Sequence, residues 1–127
     1  WDRLGGFDER LPACEDYDLW LRLTCAVPVT LIPERLIVKR GGHADQLSRT
    51  VPVLDLHRIT ALENILTAAL SASHRQAVLE HLVQKCRIVA QGARKRGHEA
   101  RGSTYEEKTQ VYQQQLANLK SPTTGAA

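Results

Sequence analysis

Residues 5–22, GGFDERLPACEDYDLWLR, set the frame for the rest of the chain. Gly5 and Gly6 permit backbone angles and close approaches that a Cβ forbids, so a ligand or a neighbouring strand can sit against this loop with Phe7 as its anchor. The pattern then changes. Leu19, Trp20 and Leu23 recur at helical spacing, and Asp16 and Asp18 fall in the first turn, where the helix dipole favours anions. A helix is therefore expected to open at the acidic pair Glu15-Asp16. Asp16 has two readings. It is either an N-cap, a role Asp fills well and worth about 1 kcal/mol, or a functional carboxylate. Trp20 is expected to pack beneath the loop as core. Arg22 is expected to pair with Asp18 at i,i+4 on the surface, for about 0.3 kcal/mol.

Downstream, Pro28-Val-Thr-Leu-Ile-Pro33 and Leu36-Ile-Val-Lys39 are short, apolar and rich in β-branched residues, with Glu34-Arg35 between them. Both read as strands of a hairpin. Arg40-Gly-Gly-His43-Ala-Asp-Gln-Leu-Ser48 follows.

The two constellations together resemble the acceptor side of a family 2 glycosyltransferase of the GT-A fold, over about residues 1–50. The resemblance implies that Asp16 takes the proton from an acceptor hydroxyl as it attacks the anomeric carbon, a task for a positioned weak base. Glu15 would help orient acceptor or base. Gly5, Gly6, Phe7, Asp8 and Glu9 would line the sugar and acceptor pocket. His43 matches the position that can complete the shell of a catalytic Mn²⁺ or Mg²⁺, for which neutral imidazole is a competent ligand. Arg40 and Arg49 are candidate diphosphate partners, since guanidinium forks match phosphate oxygens. The implied partners are a nucleotide-sugar donor and a saccharide or lipid-linked acceptor. The chain departs from the family in one respect: it shows no nucleotide-binding βαβ half and no Asp-x-Asp after an apolar strand, and Asp16-Tyr17-Asp18 belongs to the acceptor-side motif. It opens inside a motif without Met. The expectation is thus a C-terminal part of an enzyme, inactive alone, with apolar faces that drive self-association.

Residues 51–120 read as a three-helix extension. Leu54, Ile59, Leu62, Ile65, Leu66 and Ala69 share one face of a first helix over Val53 to Leu70, with Pro52 suited to its first turn. Ser73-His-Arg-Gln76 has the form of a capping box, followed by Val78, Leu82, Val83, Cys86, Val89 and Ala90, a basic end at Arg94-Lys95-Arg96, and a stop at Gly97. A second box, Ser103-Thr-Tyr-Glu106, opens a more polar helix with a thin stripe of Tyr105, Tyr112, Leu116 and Leu119. Residues 121–127 are small and polar, and are expected to be a disordered tail. The basic cluster of Arg94, Lys95, Arg96, His98 and Arg101 complements a helix C-terminus or offers a patch for an anionic membrane surface.

Composition bounds the class. With 127 residues, 43% hydrophobic and 24% charged, the chain is globular and long enough for one modest core. A net charge of +3 with 5% aromatic residues, and no groove-reading motif, argues against nucleic acid. No run approaches the roughly 18 apolar residues of a membrane span. Cys14, Cys25 and Cys86 have no metal-type spacing, which points to reduced thiols and a cytoplasmic, at most membrane-peripheral, setting. Cys14 is no candidate nucleophile, because neighbouring carboxylates raise a thiol pKa. The expected fold is α+β and predominantly helical: residues 1–50 as acceptor-side loop, helix and β-hairpin, residues 51–120 as helices. The alternative is a non-catalytic helical interaction module.

Overall fold

The structure is a computed structural model and describes residues 3–40, 42 and 51–121. Four helices make up the regular structure among them: α1 (Glu15–Ala26), α2 (Leu54–Leu66), α3 (Ala72–Lys95) and α4 (Glu99–Lys120). Consecutive helices pack on one another, α1 on α2, α2 on α3 and α3 on α4.

The longest helix, α3, organises the core. Leu79, Leu82, Cys86, Val89 and Ala93 are all buried, and their three- and four-residue spacing draws one continuous seam along the helix. On α4 the matching seam runs through Gly102, Tyr105, Thr109, Tyr112 and Leu116, buried or half-buried. The two helices are antiparallel, joined at Gly97. That glycine has φ +73°, and it donates from its N–H to the carbonyl of Arg94 at 3.1 Å while His98 N–H reaches back to Ala93 at 2.9 Å. These two bonds close the helix end as the sequence stop at Gly97 requires. At the same end Gly102 lets α4 approach the Arg94 side chain, since a Cβ there would lie 2.8 Å from its Nε. Arg94 in turn binds Glu99, Glu106 at 2.7 Å and Ser103 Oγ at 3.1 Å. The basic cluster therefore contains a cation already spent on the α3–α4 corner, and Arg96 Nη1 is bonded to the Gly92 carbonyl.

Helix α2 closes the core with Ile59, Leu62 and Ile65, against which Tyr17, Leu21 and Cys25 of α1 pack. Polar bonds fix its register. Asp55 Oδ1 accepts from Lys85 Nζ of α3 and from Arg58 Nη1, each at 2.9 Å. Glu63 Oε1 accepts from Lys108 Nζ and from Tyr112 Oη of α4, both at 2.6 Å. The Cys14 thiol donates to the Leu54 carbonyl at 3.7 Å, tying the starts of α1 and α2 together. Both helices begin after left-handed residues, Cys14 at φ +65° and Val53 at φ +55°, the second a costly conformation for a β-branched side chain.

Several expectations are corrected. The α+β class with its GT-A hairpin does not hold: among the described residues the fold is all-helical and contains no strand. Residues 27–40 form an irregular, exposed arm instead. A two-stranded hairpin is marginal without a third strand or a covering helix, Pro28 and Pro33 each lack an N–H for the ladder, and Glu34-Arg35 supplies neither residue of a tight hairpin turn. Trp20 is 55% exposed rather than core; Tyr17, three residues earlier, takes the inward position. The α1 N-cap is Cys14, so Asp16 is not a cap. For α3 the cap is Ser71, whose hydroxyl accepts from His74 N–H, two residues before the expected box. Helix α4 starts at Glu99, which leaves Ser103 inside it. The expected tail beyond Ser121 lies outside the described residues.

Two outcomes follow. Leu82→Ala, at a site with no solvent exposure, should cost about 2–5 kcal/mol in urea unfolding; a loss under 1 kcal/mol would show that the seam is not the core. For Asp55, burial pushes the carboxyl upward, but hydrogen bonds from Lys85 and Arg58 outweigh it and hold the group below its ordinary value. Its stabilisation is present above the unfolded carboxylate value and is lost as pH falls through the lower folded one. The urea midpoint should hold steady from neutral pH to about 5 and fall below about 4, with a shallower fall in Asp55→Asn. An equal fall in both proteins would remove Asp55 from the account.

Candidate functional site

The loop before α1 is held by one arginine. Arg22 Nη2 donates to the Gly6 carbonyl at 2.6 Å, Nη1 donates to the Leu4 carbonyl, and Nε donates to Asp18 Oδ2 at 2.9 Å. Asp18 is 4% exposed. The expected i,i+4 pair thus forms, but buried, and it anchors the loop rather than decorating a surface. Gly5 and Gly6, at φ +76° and +71°, take left-handed backbone that other residues rarely adopt, and the Leu4 and Gly6 carbonyls face the guanidinium. The loop is locked a second time by Arg10, which binds both carboxylate oxygens of Asp8 at 2.9 Å and donates its backbone N–H at 3.0 Å. These bonds from Arg10 bring the Asp8 carboxyl down to about 2.

Between this loop and the C-terminal end of α2 lies a cleft of about 600 Å³, lined by Gly5 to Arg10, Asp18, Arg22, by Asn64 and Ile65 of α2 and by Ala68 just beyond it. The five loop residues expected to bind sugar and acceptor, Gly5, Gly6, Phe7, Asp8 and Glu9, all line it. Phe7 is about half exposed along this wall.

Glu15 and Asp16 lie elsewhere. They border a separate recess of about 170 Å³ with Ala13, Cys14, Leu54 and Arg58. The reason is helical geometry: with 3.6 residues per turn, Asp16 and Asp18 point about 200° apart. Asp16 is exposed, and its Oδ1 accepts the Tyr17 N–H at 2.7 Å. The structure therefore gathers the loop residues into one cleft and turns Asp16 away from it, with Glu15 bordering the same separate recess. Arg40 is exposed on the arm. His43 and Arg49 lie outside the described residues.

Cys14 is buried, and that burial raises its thiol pKa. His43, the expected ligand of the divalent cation, lies outside the described residues; among the described residues no group of three His, Cys, Asp or Glu side chains comes together, and Asp8 and Asp18 are bound by arginines. Among the described residues no helix is long and apolar enough to cross a membrane.

Sequence reading missed Arg58, which lies beside the acidic pair, and the anchoring role of Arg22. The signal for Arg22 was present: a cation four residues after Asp18, with a glycine turn upstream whose Leu4 and Gly6 carbonyls need donors. Compared with known proteins, the chain matches no family model, no curated sequence and no solved structure.

Arg22→Met should strand Asp18 as a buried, unpaired charge and cost about 3 kcal/mol, with faster tryptic cleavage after Arg10 as the loop loosens. Unchanged cleavage would mean that Arg22 does not hold the loop.

Proposed function

We propose that this chain is the acceptor-side portion of an inverting family 2 glycosyltransferase, with Asp16 as the general base. The observation that carries the reading is the division of labour among the carboxylates of residues 5–22. Asp8 and Asp18 are bound by Arg10 and Arg22, whereas Asp16 is exposed at the start of α1 and forms no ion pair with a cation among the described residues. A base must be accessible and not held by a permanent counter-ion. Asp16 would accept the acceptor's hydroxyl proton as its oxygen bonds to the anomeric carbon and the nucleoside diphosphate departs with the electron pair of the old glycosidic bond. Glu15 would orient the acceptor hydroxyl beside it in the recess the two residues share, and the separate cleft under Gly5 to Glu9 would hold a part of the saccharide remote from that hydroxyl.

Donor and metal binding call for residues beyond those described, so the 127 residues alone are expected to transfer little sugar. In a complete protein that binds nucleotide-sugar, Asp16→Asn should lower kcat by about 10²–10⁴, with unchanged helical circular dichroism and little change in KM. Turnover equal to the unaltered protein's would sink the base assignment. The second reading, a non-catalytic interaction module, is favoured by the exposed apolar arm, and would gain from that negative result.

A further inference from the structure

Arg58 of α2 and Arg96, the C-cap of α3, line one recess of about 370 Å³. Its apolar wall is formed by Val51, Val53, Ile88 and Val89, and Ile88 keeps 47% of its surface exposed. Asp55 is the acidic residue among those lining it, and that carboxylate is shared between Arg58 and Lys85, each at 2.9 Å. Lys85, Asp55 and Arg58 together therefore carry one net positive charge, and Arg96 adds a second. Both arginines are pinned at one end. Arg58 Nη1 is fixed on Asp55, and Arg96 Nη1 donates to the Gly92 carbonyl at 2.9 Å. The second bond has room because residue 92 has no side chain: a Cβ there would stand 2.9 Å from Arg96 Nη1. A guanidinium carries five N–H donors, and each of these two spends one of them among the described residues. Glu15 and Asp16 border Arg58 from a separate recess and form no ion pair with it among the described residues.

We propose that this recess binds a small organic phosphate monoester, with the phosphate on Arg58 and Arg96 and an apolar body on Val51, Val53 and Ile88. Guanidinium forks match phosphate oxygens. A monoester carries about two negative charges at neutral pH, which balances the two net charges of the recess, whereas a carboxylate supplies one. Inorganic phosphate would leave the apolar wall in water, and a body that covers the wall adds the gain of removing that surface from solvent. The size is that of a small ligand, since such pockets run from about 300 to 1,000 Å³ and pair an apolar lining with a few polar groups. The recess shares no residue with the cleft under Gly5 to Arg10. The inference uses neither Asp16 nor Glu15, so it does not depend on the glycosyl-transfer reading.

The test titrates phenyl phosphate into the full chain and follows the backbone amides by NMR, with inorganic phosphate and benzoate as comparisons. Shifts at Leu54, Ile88 and Gly92 are expected, and phenyl phosphate should bind more tightly than either comparison. Arg96→Gln should weaken that binding about tenfold or more, the worth of one charge-assisted hydrogen bond. Gly92→Ala should weaken it too while the melting temperature stays equal or rises, because alanine suits a helix better than glycine and its Cβ displaces the Arg96 guanidinium. An Arg96 that served stability alone would give no change in affinity. Benzoate or inorganic phosphate binding as tightly as phenyl phosphate, shifts confined to other residues, no shifts at all, or full affinity in Arg96→Gln and Gly92→Ala would each overturn the proposal.

Discussion

The fold rests on the seam along one face of α3, the helix that packs against both α2 and α4. Leu79, Leu82, Cys86, Val89 and Ala93 are buried there together, and burying each large aliphatic side chain stabilises by roughly 1.5–3 kcal/mol. Everything else is positioned relative to that helix. The Gly97 turn folds α4 back along it, Lys85 reaches from it to Asp55, and α2 carries the packing outward to Tyr17 and Leu21 of α1. Cys86, wholly buried in the seam, is raised to about 11 by desolvation, so it acts as a small apolar residue there. The candidate site stands at the periphery of this stack, on the helix farthest along the chain of contacts from α4.

At that periphery one ion pair replaces a core. The loop from Leu4 to Arg10 contributes little apolar burial, and its shape depends on a guanidinium that binds two carbonyls and one carboxylate. Such a pair holds only if its remaining donors are satisfied, because desolvation of both charges offsets much of their attraction. Leu4 and Gly6 provide that satisfaction. The fork geometry of arginine suits three acceptors in different directions, which a lysine ammonium on a flexible stem would order poorly. Chemistry and scaffold are separated on α1 by the helical repeat: the Asp18 side anchors, and the Asp16 side stays in solvent.

How far the sequence discloses this varies with the physics. The three C-terminal helices are legible because large apolar residues at 3.6-residue spacing have one common solution, a buried face. Their starts are less legible: α3 is capped by Ser71 and not by the expected Ser73, and Ser103, expected to open α4, lies inside it. The α4 seam was only half visible. Gly102 and Thr109 belong to it without looking apolar, whereas Leu119 looks apolar and stays exposed. In the candidate site, the loop residues are placed together as their pattern implied, but the sequence alone does not reveal that Asp16 and the loop lie on different sides of α1. That follows from the helix phase once its start is fixed at Glu15 rather than capped by Asp16.

The arm is where local and tertiary demands part. Its residues prefer strand, yet strand is not a state that a segment can adopt alone: each ladder bond needs a partner, and each apolar face needs a cover. A helix satisfies its backbone internally, so α1 to α4 can form within these residues. The arm cannot, and its β-branched composition leaves it without a helical escape. The same residues that made a hairpin the natural sequence reading therefore make an uncovered arm in the folded chain. The strand expectation fails because propensity alone supplies neither a ladder partner nor a cover among the described residues, although it remains a physical property of Val29, Ile32, Ile37 and Val38.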